Sequence, residues 1–396
     1  MTGEETAPLS SDGPLAGVRI VELAAEGPGA YGGMLLADLG ADVVRIDRLV
    51  AVDDGRPRRD TVLGRGRRSV AVDLKHPDGI ETVLRLVDGA DALLEGFRPG
   101  TAERLGLGPE VCLARNPRLV YGRMTGWGQT GPLAMAAGHD INFIALAGLL
   151  GALGRYGQPP TPPLAIAGDM GGGGAFLALG VVSALFEAQR SGRGQVVDAA
   201  VIDGAASLMG VFYGLRSAGH WNDERGTNLL DSGAPFYDAY ETADGRYVAI
   251  GPMEPKFFAQ LLERMGLAEG SRPGQYDRDG WPELRKQLAE TFRTRTRAQW
   301  CEELEGTDAC FAPVLTLGEA PEHPHHVARG TFVDVDGTAQ PAPAPRLSRT
   351  PGAVRRPAPG LGEHTIEALS DWGFDEAELA RLADEGVVRQ APGTPR

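Results

Sequence analysis

The stretch Gly17–Arg48, GVRIVELAAEGPGAYGGMLLADLGADVVRIDR, decides the fold. It begins with a short apolar run, GVRIVELA, and ends with a second one, ADVVRIDR. A Gly-Pro-Gly turn and an apolar-periodic segment that extends to Leu39 separate the two runs. Two short strands on either side of one helix are typical of a βαβ unit, in which the strands lie parallel in one sheet.

The same alternation continues along the chain. The predicted elements are strands at Ser69–Leu74, Ala90–Phe97, Leu119–Thr125 and Gln195–Val201, and helices near Pro77–Val87, 139–154 and 172–190. The last two helices contain few charged residues, so we expect them to be buried. The pattern favours an α/β fold with a doubly wound, Rossmann-like large domain.

From about Gly226 the sequence changes character. Two apolar runs, Phe236–Tyr240 and Arg246–Ile250, flank Asp244-Gly245, a dipeptide typical of hairpin turns. Helical patterns follow and favour a smaller α+β domain, whereas the proline-rich segment 337–360 favours an extended path. The predicted organisation is a flexible N-terminus at 1–14, the large domain at 15–200, a helical linker at 201–225, the small domain at 226–325, and a return segment with C-terminal helices at 326–396 that completes the large domain.

The composition excludes several classes of protein. The 396 residues carry 53 acidic and 39 basic side chains, a formal net charge of −14, whereas a nucleic-acid-binding face is basic. No apolar run reaches the ~20 residues that span a bilayer, and the first residues do not resemble a targeting signal. Three scattered cysteines fit a reducing compartment. We expect a cytoplasmic protein without membrane or nucleic-acid partners, and the preference for arginine over lysine indicates a bacterial source.

The motif Gly138-His139-Asp140-Ile141-Asn142 opens an apolar helical segment. A helix start presents free N–H groups and a positive dipole, which suit an oxyanion and keep a nearby histidine neutral. A neutral imidazole can act as a base. The alternative is that Asp140 caps the helix and His139 is incidental. The local sequence leaves both interpretations open.

Two further acids stand beside glycine or proline. Asp169 precedes four consecutive glycines, which allow a ligand or a neighbouring backbone to approach closely. Taken alone, Asp169 is more simply a helix cap. Glu254 precedes Pro255 and either starts a helix or orients a histidine.

Basic residues and histidines form two other clusters. The histidines of His323-Pro324-His325-His326 lack the spacing of metal ligands, so we predict no metal site there. A local arginine cluster in so acidic a chain indicates a phosphate-bearing ligand, although solvated loop arginines explain it equally well. The cluster comprises Arg56, Arg58, Arg59, Arg65, Arg67 and Arg68, close to Lys75 and Arg98.

Together these stretches resemble the family III CoA-transferases and, within that family, the α-methylacyl-CoA racemases. The resemblance extends from Leu15 to about Val387. The stretches that carry it are LAGVRIVELA at 15–24, MLLADLGADVVRIDR at 34–48, LGRGRRSVAVDLK at 63–75, LGLGPE at 105–110, NPRLVYGRMTGWGQTGP at 116–132, GHDINFIALAG at 138–148, GQVVDAAVIDG at 194–204, LLDSGAPFYDAYETADGRYVAIGPMEPKFF at 229–258 and GTDACFAPVLT at 306–316.

The resemblance implies an acyl-CoA substrate, no separate cofactor or metal, and a homodimer whose two chains thread through each other like linked rings. By position, His139 and Asp169 match the residues that transfer protons, and Glu254 matches the acid that pairs with the histidine. The positions that match those holding CoA and the thioester are Arg48, Val72, Asp73, Leu74, Lys75, Gly96, Phe97, Arg98, Arg104, Gly138, Asp140, Ile141, Asn142 and Phe143.

The resemblance therefore implies an isomerase that inverts the α-carbon of 2-methylacyl-CoA thioesters. In this interpretation neutral His139 removes a proton from one face and protonated Asp169 returns one to the other, while the Asp140 N–H holds the enolate oxygen. Two alternatives remain. One is a CoA-transferase in which Asp169 is the nucleophile that forms an acyl anhydride, and the other is a non-catalytic protein that binds CoA esters.

Overall fold

A computed structural model describes residues 13–23, 26–49, 62–267 and 273–391 of the chain. Arg56, Arg58 and Arg59 of the predicted basic cluster lie outside these residues, as does the predicted flexible N-terminus up to residue 12. The chain divides into two compact units. The first comprises the described residues up to Ala147, Leu164–Leu208 and those from Gly330 onward, and the second comprises Gly148–Pro163 and Met209–Arg329.

The first unit contains a seven-stranded sheet with the strand order β12-β3-β2-β1-β4-β5-β6. Six strands are parallel, and β12 pairs antiparallel with β3 at the sheet edge. The strands are β1 (Arg19–Leu23), β2 (Asp42–Arg48), β3 (Arg67–Val72), β4 (Ala92–Glu95), β5 (Val120–Thr125), β6 (Gln195–Ala200) and β12 (Val388–Arg389). The sequence therefore predicts the mixed α/β fold and its mostly parallel sheet correctly.

Successive residues of each strand point to opposite faces of the sheet, and both faces are buried. Val21 of β1 belongs to one apolar core and Ile20 to a second one. Because both cores need covering, helices lie on both faces. The helices of this unit are α1 (Pro28–Asp38), α2 (Pro77–Asp88), α3 (Thr101–Arg104), α4 (Pro109–Arg115), α5 (Asp140–Leu146), a π-helix (Ile166–Ala175), α7 (Phe176–Ser191), α8 (Val201–Leu208), α14 (Thr365–Asp371) and α15 (Glu376–Asp384). A hairpin of β10 (Phe332–Val335) and β11 (Thr338–Pro341) completes the unit.

The second unit is built on a three-stranded antiparallel sheet, β7 (Asp238–Glu241), β8 (Tyr247–Ile250) and β9 (Phe311–Pro313). The predicted Asp244-Gly245 turn connects β7 and β8. Stacked aromatic rings such as Tyr240 and Phe292 form its core. Its helices are α6 (Leu149–Ala152), α9 (Gly210–Ser217), α10 (Pro255–Arg264), α11 (Trp281–Phe292), α12 (Arg297–Leu304) and α13 (Pro324–Arg329), with short 3₁₀ turns at Arg278–Gly280 and Ala320–Glu322.

The predicted helix at 139–154 is wrong, because α5 ends at Leu146 and α6 begins at Leu149. Gly148 stands between them with φ +81°, a left-handed conformation that ends one helix and turns the chain toward the next. The division into units also falls elsewhere than predicted. Residues 148–163 belong to the second unit, and the predicted linker at 201–225 is split at Met209.

The π-helix and α7 form one continuous helical stretch, 166–191, in place of the predicted helix at 172–190. Among the described residues it is the one stretch long and apolar enough to cross a membrane, judged by length and composition alone. Asp169 and Glu187 interrupt its apolar run. Leu177 and Val181 of α7 are fully buried against the sheet, whereas Leu179 and Phe186 are exposed.

Candidate functional site

A cavity of about 300 Å³ lies at the carboxyl ends of the parallel strands in the first unit. Ligands of open α/β sheets bind at this edge because the loops that leave the strands meet there. The cavity is bounded by the segments that follow β1, β4 and β5 and by the beginnings of α5 and the π-helix. The residues that line it are Glu26, Pro28, Gly96, Phe97, Arg98, Pro99, Met124, Thr125, Gly126, Trp127, Ala134, Ala136, Ala137, Gly138, His139, Phe143, Asp169 and Val201.

His139 stands immediately before α5 and faces this cavity. Its backbone N–H donates to Oδ1 of Asn142 at 3.0 Å, and the Asn142 N–H donates to the His139 carbonyl at 2.8 Å. These two bonds fix the backbone at the start of the helix. The His139 side chain is exposed, so its imidazole is open to a ligand in the cavity.

Asp169 lies in the first turn of the π-helix and is half-buried in the cavity wall. Its backbone N–H donates to Oδ1 of Asp140 at 2.7 Å. Burial, reinforced by the Asp140 charge and opposed by His139, raises the pKa of Asp169 to about 6. A carboxyl group with this pKa keeps a protonated fraction near neutral pH and can donate a proton there.

The wide π-helical turn that carries Asp169 is fixed by close backbone packing. The Met170 N–H donates to the Ala165 carbonyl, five residues back. Helix α8 crosses so closely that a Cβ at Gly204 would stand 1.9 Å from the Gly172 carbonyl oxygen. The sequence left open whether the glycines admit a ligand or a backbone, and for Gly172 the neighbour is a backbone.

Apolar rings form the wall next to His139. The Trp127 and Phe143 rings meet edge to face, with centroids 4.7 Å apart. Met124 and Val201 extend the same wall. A wall of this kind lowers the local dielectric, which disfavours ionisation of a carboxyl group and strengthens hydrogen bonds to a developing charge.

Gly96, Phe97 and Arg98, predicted to bind CoA, also line the cavity. The buried Glu95 holds the turn they form, because its Oε2 accepts the Phe97 N–H at 2.7 Å. Its Oε1 accepts Nε of Arg123 at 2.7 Å. Burial raises the pKa of Glu95 despite these bonds.

Gly138 and Phe143 line the cavity as well. The remaining predicted CoA residues do not line it, although several stand at the same edge of the sheet. Arg48 ends β2 and is exposed, and Val72 ends β3 and is buried. The turn Asp73–Lys75 follows, in which the Lys75 N–H donates to Asp73 Oδ1 at 3.0 Å. Arg104 ends α3 and donates to Thr101 Oγ1 at 2.8 Å.

Leu74 belongs to the turn after β3 and packs against the first apolar core. Of the predicted residues at the start of α5, Ile141 and Asn142 are exposed and Asp140 is buried. Glu254 belongs to the second unit, where it immediately precedes α10 and is exposed. Its pairing with His139 remains a prediction.

The phosphate hypothesis is wrong for the described arginines of the predicted cluster. Arg65 and Arg67 are almost fully buried and pair with Asp38 and Glu22, at 2.6 and 3.0 Å. Arg68 bridges Asp42 and Asp371, which ends α14, at 2.7 and 2.6 Å. Buried guanidinium groups must be paired. These three arginines therefore form ion pairs within the protein and are not free to bind a phosphate.

Sequence reasoning missed several residues of the cavity. Glu26 and Pro28 follow β1, and Thr125 and Trp127 end or follow β5. The Gly-Pro-Gly turn was interpreted only as a connection. Its place directly after a parallel strand was the signal that it borders a site.

In the described part of the chain, no group of three or more histidine, cysteine or acidic side chains is arranged to hold a metal ion. In the histidine-rich segment, Nε2 of His323 lies 2.8 Å from a Glu305 carboxylate oxygen. This contact accounts for His323 as part of a polar loop.

Comparisons with known proteins bear on this site. The chain matches the family described as CoA-transferase family III over residues 15–365. It is 46% identical over 376 residues to alpha-methylacyl-CoA racemase of Mus musculus, an alignment that covers 94% of this chain and 97% of the mouse protein. It is 34% identical over 402 residues to succinyl-CoA–D-citramalate CoA-transferase of Chloroflexus aurantiacus, covering 95% and 98%. A CAIB/BAIF family protein from Brucella suis has the same fold, with a TM-score of 0.80 at 26% identity over 91% of this chain and all of the other.

Proposed function

We propose that this chain, which belongs to CoA-transferase family III, is a racemase that inverts the α-carbon of 2-methylacyl-CoA thioesters. The observation that carries the proposal is the meeting of His139 and Asp169 in one cavity, where Asp169 has a pKa raised to about 6. The alignment with the mouse racemase over 94% of this chain supports it.

Inversion needs one group on each face of the α-carbon. Neutral His139 takes the α-proton from one face, and the electrons move into the thioester carbonyl to give an enolate. Protonated Asp169 then gives its proton to the opposite face, and the roles reverse for the other epimer. A positioned acid or base typically contributes ~10²–10⁴-fold to such a step.

The enolate oxygen needs a hydrogen-bond donor. The Asp140 N–H stands at the start of α5 and has no acceptor within the helix, because no helical carbonyl precedes the first N–H groups of a helix. In the proposed complex it donates to the enolate oxygen. Glu254 stabilises the imidazolium, and the loops after β2, β3 and β4 hold CoA. The enzyme acts as a homodimer.

A CoA-transferase reaction remains the second candidate, because Asp169 faces the cavity where an attacking carboxylate would stand. His139 in the same cavity favours the racemase, because attack by Asp169 needs no partner histidine. An acyl group trapped on Asp169 by hydroxylamine, together with CoA exchange between acids, would establish the transferase instead.

The deciding experiment uses one epimer of a 2-methylacyl-CoA in deuterated water. The racemase should incorporate α-deuterium while the substrate becomes an epimeric mixture. Retained configuration without deuterium would contradict the proposal.

In the His139→Ala variant the rate of α-deuterium incorporation should be ~10²–10⁴-fold lower than in the wild type, because this factor is the usual contribution of a positioned base. His220→Ala, at an exposed histidine of the second unit, is the matched control and should keep the wild-type rate. Equal rates for both variants would remove His139 from the mechanism.

A further inference from the structure

We infer that the Asp140 side chain is a positioning residue for Asp169: its carboxylate holds the Asp169 backbone and favours the proton-carrying form of the Asp169 carboxyl group. This role rests on the proposed function, in which Asp169 is the proton donor. It is separate from the proposed contact of the Asp140 backbone N–H with the enolate oxygen.

The Asp140 side chain packs directly against the first turn of the π-helix. The Asp140 side chain is buried, and its Oδ1 accepts the Asp169 N–H at 2.7 Å. A Cβ at position 168 would stand 2.2 Å from the same oxygen, so the carboxylate lies directly against the Gly168–Asp169 peptide. This bond ties the first turn of the π-helix to the start of α5, and therefore ties Asp169 to the segment that carries His139.

The same arrangement brings the charge of Asp140 close to the half-buried Asp169 carboxyl group. The Asp140 carboxylate accepts the Asp169 N–H and stands at the start of α5. Its negative charge opposes ionisation of Asp169, whereas a cationic His139 favours it. Burial of Asp169 acts in the same direction as Asp140.

Other elements that pack against the π-helix also carry titratable groups. Two of these groups are already paired, Asp38 with Arg65 and Arg123 with Glu95. Glu26 lines the cavity and is exposed. The complete set on these elements is Tyr31 and Asp38 on α1, Tyr121 and Arg123 on β5, Asp198 on β6, Glu187 and Arg190 on α7, and Asp203 on α8.

Three variants of the full chain separate the two parts of the role. Asp140→Asn keeps an oxygen that can accept the Asp169 N–H but removes the charge. Asp140→Ala removes both. Asp203→Asn is the matched control, because it removes one negative charge from an exposed site on α8, which packs against the same π-helix.

Both readouts use the protein without substrate. Hydrogen exchange of peptides that cover 166–175 reports whether the Asp169 N–H is held. Carbon-13 NMR of carboxyl-labelled aspartate reports the protonation of Asp169, whose signal is the one missing from Asp169→Asn. In the wild type we expect this signal to titrate near pH 6.

Asp140→Asn should keep the amide protection and lower the Asp169 midpoint by about one pH unit, the size typical of one nearby charge. Asp140→Ala should lower the midpoint and also lose the protection, and Asp203→Asn should change neither. An unchanged midpoint in Asp140→Asn, or unchanged exchange in Asp140→Ala, would overturn the inference.

Failure of the proposed function would look different. It would show as absent α-deuterium incorporation by the wild-type protein, whatever the two readouts report. If the wild type is active, Asp140→Asn should lose about tenfold in kcat at neutral pH with little change in KM, because one pH unit corresponds to a tenfold smaller protonated fraction of Asp169.

Discussion

At the scale of single residues, the state of Asp169 controls the proposed reaction. Its pKa lies near 6, so at pH 7 about one tenth of the molecules carry the proton. For the epimer that is deprotonated by His139, kcat/KM should fall as the pH rises above about 6, because Asp169 must be protonated to donate. A pH–rate profile for each epimer measured separately checks this, and a flat profile above pH 6 would contradict it.

Also at this scale, the buried Arg67–Glu22 pair should affect the free energy of unfolding more than exposed ion pairs do. Arg67→Met leaves the Glu22 carboxylate buried without a cation, which we expect to lower the free energy of unfolding by about 3–5 kcal/mol. Arg115→Met breaks partly exposed pairs with Glu81 and Asp88 and should lower it by about 0–1 kcal/mol. Urea denaturation of both variants measures the difference, and equal losses would show that the buried pair has no special role.

At the scale of elements, the parallel strands were predictable and the site helices were not. Each strand from β1 to β6 lies within three residues of its predicted bounds, because buried parallel strands are short apolar runs between turns. The π-helix has the same apolar composition as an α-helix, so its wider turn leaves no signal in the periodicity. The buried arginines of β3 were misinterpreted for another reason. Their acidic partners Glu22 and Asp371 are far away in the sequence.

The crossing of α8 over the π-helix can be tested with one methyl group. In Gly204→Ala the new Cβ collides with the Gly172 carbonyl, which we expect to cost about 1–3 kcal/mol of stability and to lower kcat by displacing Asp169. The control is Gly214→Ala in α9, where no atom lies within 4 Å of the added Cβ. That variant should be as stable as the wild type or up to about 1 kcal/mol more stable. Thermal unfolding and the α-deuterium assay measure both effects, and an unaffected Gly204→Ala would show that the crossing tolerates a side chain.

At the scale of the whole molecule, the exposed apolar side chains of α7 fit the proposed homodimer. Leu179 and Phe186 are each more than half exposed, and large exposed apolar side chains often mark a contact surface.

The linked-ring arrangement implied by the resemblance has a further consequence. Threaded chains cannot separate without unfolding, so dilution should not release monomers.

Mixing dimers that carry two different affinity tags tests this. Under native conditions no mixed dimers should form, whereas unfolding and refolding the mixture, or producing both chains in one cell, should yield them. Native mass spectrometry distinguishes the three species. Rapid exchange of subunits at low concentration would exclude threaded chains.

The edge strand β12 affects how the protein folds during translation. Strand β3 is synthesised early, yet its outer partner, Val388–Arg389, is among the last described residues of the chain. Two further hydrogen bonds of β3 form only when the C-terminal segment has arrived: the Gly362 N–H donates to Ser69 Oγ, and the Ala71 N–H donates to Thr365 Oγ1. During translation β3 therefore remains an open edge until residues 388–389 have left the ribosome, by which time the contiguous residues 209–329 have already emerged. An open edge invites pairing with other nascent chains, so the time between the synthesis of β3 and that of β12 is the period in which this protein most needs a chaperone.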